Sequence, residues 1–170
     1  AKLCIDTCLI YDAKSLLFDT LYARFASNSA SRTAFLDQIF EAVQNKELYE
    51  LPAELVSDLF DECERNNSLA RFEAMLTRLQ VRHLNLNSLI KTCWKHGLYD
   101  SVVYLYNRGF NEFVSPINEL LRVIQLSVRS KLVGDHRGAV SPLLSKNQRA
   151  LGTKLLRYIV SPMQHNVLLE

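Results

Sequence analysis

Four cysteines and four histidines are the side chains in this sequence whose chemistry goes beyond packing and charge. Cys93 and His96 stand three positions apart, and Cys4 and Cys8 one helical turn apart, spacings that bring each pair to one side of a helix. Structural zinc takes four such ligands, usually delivered as close pairs on turns or knuckles. Here Cys63 stands alone within a helical stripe and no second close pair accompanies Cys93 and His96, so the cysteines read as small core residues of a reduced, cytosolic protein. Nucleophilic catalysis asks for a cysteine or serine beside a base that a third group orients. His83, His96, His136 and His165 lie in no recognisable nucleophile signature. "GDHRG", residues 134–138, sets Asp135 beside His136 between glycines, yet such residues are equally ordinary in a solvated loop. No P-loop and no G-x-G-x-x-G occurs. The expectation is a chain without catalytic, cofactor-binding or metal-binding residues, and not an enzyme.

Binding is the remaining chemistry. Residues 1–80 hold eight Lys and Arg against thirteen Asp and Glu, net −5, and residues 81–170 twelve against five, net +7. Arg129, Lys131, Arg137, Lys146, Arg149, Lys154 and Arg157 concentrate that positive charge and can meet phosphate in nucleic acid or lipid headgroups. They lack the interleaved aromatics that stack on bases, so a solvated basic surface is expected and nucleic acid is not. A basic helical module on nucleic acid or anionic membrane is the alternative. Among the aromatics, Tyr104 lies off the stripe formed by Tyr99, Val102, Val103 and Tyr106 and is expected to face outward. The predicted partner-binding surface is Tyr104 with Lys146, Arg149, Lys154 and Arg157.

These residues must be carried by helices. Phe35, Leu36, Ile39, Phe40 and Val43 form one stripe, and Leu55, Val56, Leu59, Phe60 and Cys63 another. Further stripes run through Leu69, Phe72 and Leu76, through Leu86, Ile90 and Cys93, and through Ile117, Leu120, Leu121 and Ile124 after the Ser115-Pro116 start signal. Pro52 suits the first turn of the second helix. Sliding residues 56–76 by thirty positions lays Val56 on Leu86, Leu59 on Leu89, Phe60 on Ile90, Cys63 on Cys93 and Met75 on Leu105, and "TCLIYDAKSLLF" is a weaker echo of "TCWKHGLYDSVVYL". Repeats of this kind bury their apolar faces by stacking. The predicted fold is all-α: about nine helices in a right-handed solenoid of antiparallel hairpins, one segment over residues 1–170. Within "HGLYDSVVYLYNRGF", His96-Gly97 makes the turn, Leu98–Arg108 the returning helix, and Gly109 its left-handed end. Residues 129–150 lack periodicity and read as a long mobile connection, and Ser161-Pro162 as a helix stop. No apolar stretch approaches the roughly 18 residues of a membrane span.

The stretch "HLNLNSLIKTCWKHGLYDSVVYLYNRGFNEFVSPINELLRVI", residues 83–124, resembles a segment of the vacuolar protein sorting-associated protein 8 family. So does "ALGTKLLRYI", residues 150–159, and together they cover about 50 of the 170 residues. The resemblance implies clathrin-heavy-chain-type helical repeats from a subunit of the CORVET endosomal tethering complex, acting in endosomal and vacuolar trafficking and fusion. It also implies protein partners, namely the class C core subunits and an early-endosomal Rab GTPase, at the cytoplasmic face of endosomal membranes as a peripheral protein. Family members carry a RING-type zinc domain, but no CxxC pair occurs here to receive that role. The related HOPS subunit, vacuolar protein sorting-associated protein 41, has a comparable layout. Lacking an initiating Met and starting within helical pattern, the chain reads as a fragment of a larger protein.

Overall fold

The computed structural model describes the backbone of residues 2–134 and 146–166, and their side chains except at 127, 128, 130–134, 146–148, 150 and 161–166. Among the described residues all regular structure is helical, in nine α-helices and two π-helical turns. Helix α1 spans Lys2–Ile10, and a π-helical turn, Leu16–Leu21, runs into α2, Tyr22–Ala26. Then follow α3, Ser29–Gln44; α4, Ala53–Arg65; α5, Leu69–Leu76; and α6, Leu86–His96. Helix α7, Tyr99–Tyr104, continues into a second π-helical turn, Leu105–Phe110, before α8, Val114–Gly134, and α9, Lys146–Asn166. These residues gather into two compact units, Ala1–Arg108 and Gly109–Glu170.

In the first unit the chain reverses by one repeated device. Asp12, Lys46, Asn67 and Gly97 take left-handed backbone angles, with φ of 49°, 63°, 50° and 69°. After each, the next N–H reaches the carbonyl five residues back: Ala13 to Cys8 at 2.8 Å, Glu47 to Ala42 at 2.9 Å, Ser68 to Cys63 at 2.8 Å and Leu98 to Cys93 at 2.9 Å. This is the Schellman closure, which satisfies carbonyls that a helix end leaves open. Asn67 and Gly97 stand thirty positions apart, as do Cys63 and Cys93, so the turn repeats in register with the apolar stripe. Helix starts are closed by side chains at Asn28, whose Oδ1 accepts from the Ala30 N–H at 2.9 Å, and at Asn85, whose Oδ1 accepts from Ser88 at 3.2 Å.

The reversals pair α4 with α5 and α6 with α7, and α5 also packs on α3 and α7. Phe72 of α5 is fully buried and meets Phe60 of α4 edge-on at 5.3 Å, while Phe60 in turn meets His96 of α6 at 5.1 Å. Successive hairpins therefore share one apolar interior, as the thirty-residue repeat requires. Arg71 links α5 to α3, its guanidinium 2.7 Å from Asp37 and 4.1 Å above the Phe40 ring.

Four local expectations are corrected. Gly109 lies inside the second π-helical turn, and Asn111, φ 55°, takes the left-handed angle instead. The wider π turn carries the chain past the glycine. The buried side of α7 is Leu98, Ser101, Val102 and Leu105, with Tyr99, Val103 and Tyr106 only half-buried. Tyrosine rings keep their polar end near water and so cede the innermost positions to aliphatics. In the second unit, residues 129–134 and 146–150, assigned to the mobile connection, are helical; Arg, Lys, Leu and Ala are good helix formers even without an apolar stripe. The remaining 135–145 lie outside the described residues. Finally, α9 continues past Ser161-Pro162 to Asn166, since a proline costs a helix one hydrogen bond without always ending it.

Candidate partner-binding surfaces

The cysteine and histidine pairs do not converge. Cys93 is fully buried, and Cys8 and Cys63 are buried beside it in the same apolar cluster, whereas Cys4 is exposed. Burial pushes the Cys93 thiol up from 9.0 to about 12, with the Glu73 carboxylate adding to the effect, and burial raises Cys63 as well. A thiol held protonated is a poor nucleophile and a poor metal ligand. His96 packs on Phe60, its Nε2 3.5 Å from Glu64 Oε1 of α4. His83 Nε2 lies 2.9 Å from the Leu51 carbonyl. No group of three metal-capable side chains forms among the described residues. Asp135 and His136 lie outside those residues, as does the side chain of His165.

Two acidic residues that sequence reasoning passed over hold the first unit's hairpins together. Glu62 is 8% exposed, and its carboxylate accepts from Thr33 Oγ1 of α3 at 3.2 Å, Arg65 Nη2 at 2.7 Å and Asn66 Nδ2 at 2.9 Å. Glu73 of α5 reaches the start of α7, where its Oε1 accepts from the backbone N–H of Asp100 at 2.8 Å and of Ser101 at 3.4 Å. The residue at that cap position is Leu98, which has no side-chain acceptor. Glu73 therefore supplies from the preceding hairpin the cap that α7 lacks locally, with its charge at the positive end of the helix.

Tyr104, expected to face outward, is half-buried: its ring packs on the core cluster and its hydroxyl donates to the Leu79 carbonyl at 2.6 Å. It lies in the first unit, apart in sequence from the four basic candidates of α9. On α9, Leu151 and Leu155 are buried and α8 packs alongside. Helical spacing puts Arg149 and Arg157 on the side opposite those leucines and Lys154 at the flank of the buried stripe. Arg149 and Arg157 are exposed and Lys154 is half-buried, while the Lys146 side chain is outside the described set. Between the basic positions stand Leu156 at 65% exposure and Val160 at 46%. Leu156 turns outward because it is adjacent to the buried Leu155, and only one of two adjacent helical residues can point inward at the centre of the face. The outer side of α9 thus alternates guanidinium groups with large aliphatics. Tyr158 ties this helix down by donating from its hydroxyl to the Phe113 carbonyl at 3.1 Å.

A helical repeat with a mixed basic and apolar outer face is common to many scaffolds, and the comparison with known sequences decides among them. The family described as Vps8 central TPR matches residues 34–165. The chain belongs to the Vps8 family. It is 29% identical over 155 residues to the human vacuolar protein sorting-associated protein 8 homolog and 30% identical over 155 residues to that of the mouse, in each case over 91% of this chain. The Drosophila melanogaster homolog is 25% identical over 158 residues, 92% of this chain. The chain spans about a tenth of the length of these Vps8 relatives. No solved structure matches it. The matched span runs from α3 into α9, so the hairpin repeat and the outer face of α9 both fall within the Vps8 family region.

Proposed function

We propose that this chain is a non-enzymatic scaffold segment of an endosomal vesicle-tethering subunit, supporting protein assembly in endosomal and vacuolar trafficking and membrane fusion. Membership of the Vps8 family supports the setting. The exposed face of α9 carries the assembly role, because Arg149 and Arg157 alternate there with the exposed Leu156 and Val160; arginine is enriched in protein interfaces, and exposed aliphatics gain by being covered. The partners proposed for the full subunit are the class C core subunits and an early-endosomal Rab GTPase, met at the cytoplasmic side of the endosome by a peripheral protein. Among the described residues no helix is long and apolar enough to cross a membrane.

The same basic side of α9 gives a second reading, docking on anionic membrane. Affinity capture of the full-length parent, repeated after deletion of this segment, tests the first. The expected result is loss of at least one protein partner and impaired endosomal delivery; an unchanged set of partners with normal delivery contradicts it.

A further inference from the structure

A second surface lies in the first unit, remote in sequence from α9. Between the turn that follows α5 and the end of α7 is an open cleft of about 570 Å³. Its wall includes Arg82, Arg108, Gln80, Thr77, His83 and Glu50. Arg82 Nε donates to the Arg108 carbonyl at 3.5 Å, which holds the two arginine residues side by side. The tyrosine in the wall, Tyr104, is spent internally on Leu79, and His83 lies against the Leu51 carbonyl.

The charge in this cleft is unbalanced. Elsewhere in the unit Arg32, Arg65 and Arg71 each meet a carboxylate, of Asp58, Glu62 and Asp37, at 2.6 to 2.7 Å. Among the described residues no carboxylate forms an ion pair with Arg82 or Arg108, both of which are exposed. Two arginines lining one cleft are suited to pairing with carboxylates. The exposed amide of Gln80 offers both a donor and an acceptor for peptide groups. The concave shape disfavours a flat anionic bilayer, which cannot follow the wall inward as an extended peptide can.

We infer that this cleft receives an acidic peptide segment of a partner protein, with Arg82 and Arg108 pairing its Asp or Glu side chains. The site shares no residue with the α9 face, so its failure leaves the assembly reading standing, and the converse holds.

The test is fluorescence anisotropy at low salt with the 170-residue chain and a fluorescein-labelled peptide of Asp, Glu and Ser, beside the matching Asn, Gln and Ser peptide. Saturable binding of the acidic peptide alone is expected. Arg82→Gln and Arg108→Gln are each expected to weaken it roughly tenfold, the double variant more, and Arg24→Gln, exposed on α2, not at all. Thermal melting followed by circular dichroism checks the fold, and Arg108→Gln alone carries the test if Arg82→Gln melts early. Equal binding by all variants, or no binding by the parent chain, overturns the inference. Flotation with vesicles of phosphatidylcholine and phosphatidylserine that needs both arginines, without peptide binding, also overturns it in favour of a membrane site.

Discussion

Replacing Phe72 by alanine is expected to destabilise the first unit by about 3–5 kcal/mol, the range for removing a buried aromatic ring from a core. Phe72 is fully buried, and its ring stands edge-on to Phe60, which also touches His96 on the next hairpin. Helix α5 packs on α3, α4 and α7, so the vacated volume is bounded by three other helices and cannot collapse by moving one of them. Against the 5–15 kcal/mol that holds an ordinary domain together, a loss of this size lowers the melting temperature by roughly 10 °C or more. Thermal unfolding followed by circular dichroism at 222 nm measures it. A shift below about 2 °C would show that the hairpins do not depend on a shared interior.

Glu62→Ala is expected to cost about 2–3 kcal/mol although no apolar group is lost, because the hydrogen-bond acceptor common to three donors disappears. Thr33 and Asn66 would be left facing one another across the α3 and α4 contact, and Arg65 would lose its partner. The three losses are unequal. Arg65 is 55% exposed on its side chain and Asn66 is exposed too, so both can turn to water, whereas Thr33 is half-buried and water replaces its bond poorly. Glu62→Gln keeps an acceptor for two of the donors and is expected to lose less than the alanine variant. Chemical denaturation midpoints of the two variants check this order. Equal stability of Glu62→Ala and the parent would mean that the carboxylate is solvated, as an acidic residue on an amphipathic helix ordinarily is.

The contrast between these two residues explains what was legible in the sequence. Phe72 belongs to an apolar stripe with a period near 3.6, and Cys63 repeats as Cys93 thirty positions on, so the helices and their pairing could be read before any coordinates. Gly97 was legible for a different reason: glycine alone among residues takes the left-handed angle without strain, and it stands just past an apolar run. The same turn at Asp12, Lys46 and Asn67 was hidden, since those residues usually serve other purposes. Gly109 misled in the opposite sense, because a π-helical turn moved the reversal to Asn111. Glu73 and the interhelical role of Glu62 were illegible because the deciding partners come from other helices, at separations of 29 residues for Thr33 and 27 for Asp100. No local pattern marks a carboxylate as a tertiary cap.

The candidate surfaces divide along the same line. Arg149, Lys154 and Arg157 were found by composition, and the structure places Arg149 and Arg157 opposite the buried Leu151 and Leu155, with Lys154 half-buried at their flank. The outward turn of Leu156 and Val160 needed the packing of α8 on α9, which composition does not contain. Tyr104 shows the converse: its position off the aromatic stripe pointed outward, but a hydrogen bond to Leu79 draws it in. Family resemblance rested on the hairpin elbow around His96-Gly97, a stretch that sets backbone geometry and leaves the chemistry of recognition to other residues.

The proposed assembly of the outer face of α9 with protein is open to a direct test. Exchanging Arg149, Lys154 and Arg157 for glutamate in the full-length parent tests it most directly, since none of the three is buried and the helix should persist. Quantitative affinity capture, run beside flotation with anionic vesicles, is the measurement. Loss of at least one protein partner with vesicle binding unchanged is expected. Retention of every partner with loss of vesicle binding would contradict it and make the face a membrane contact.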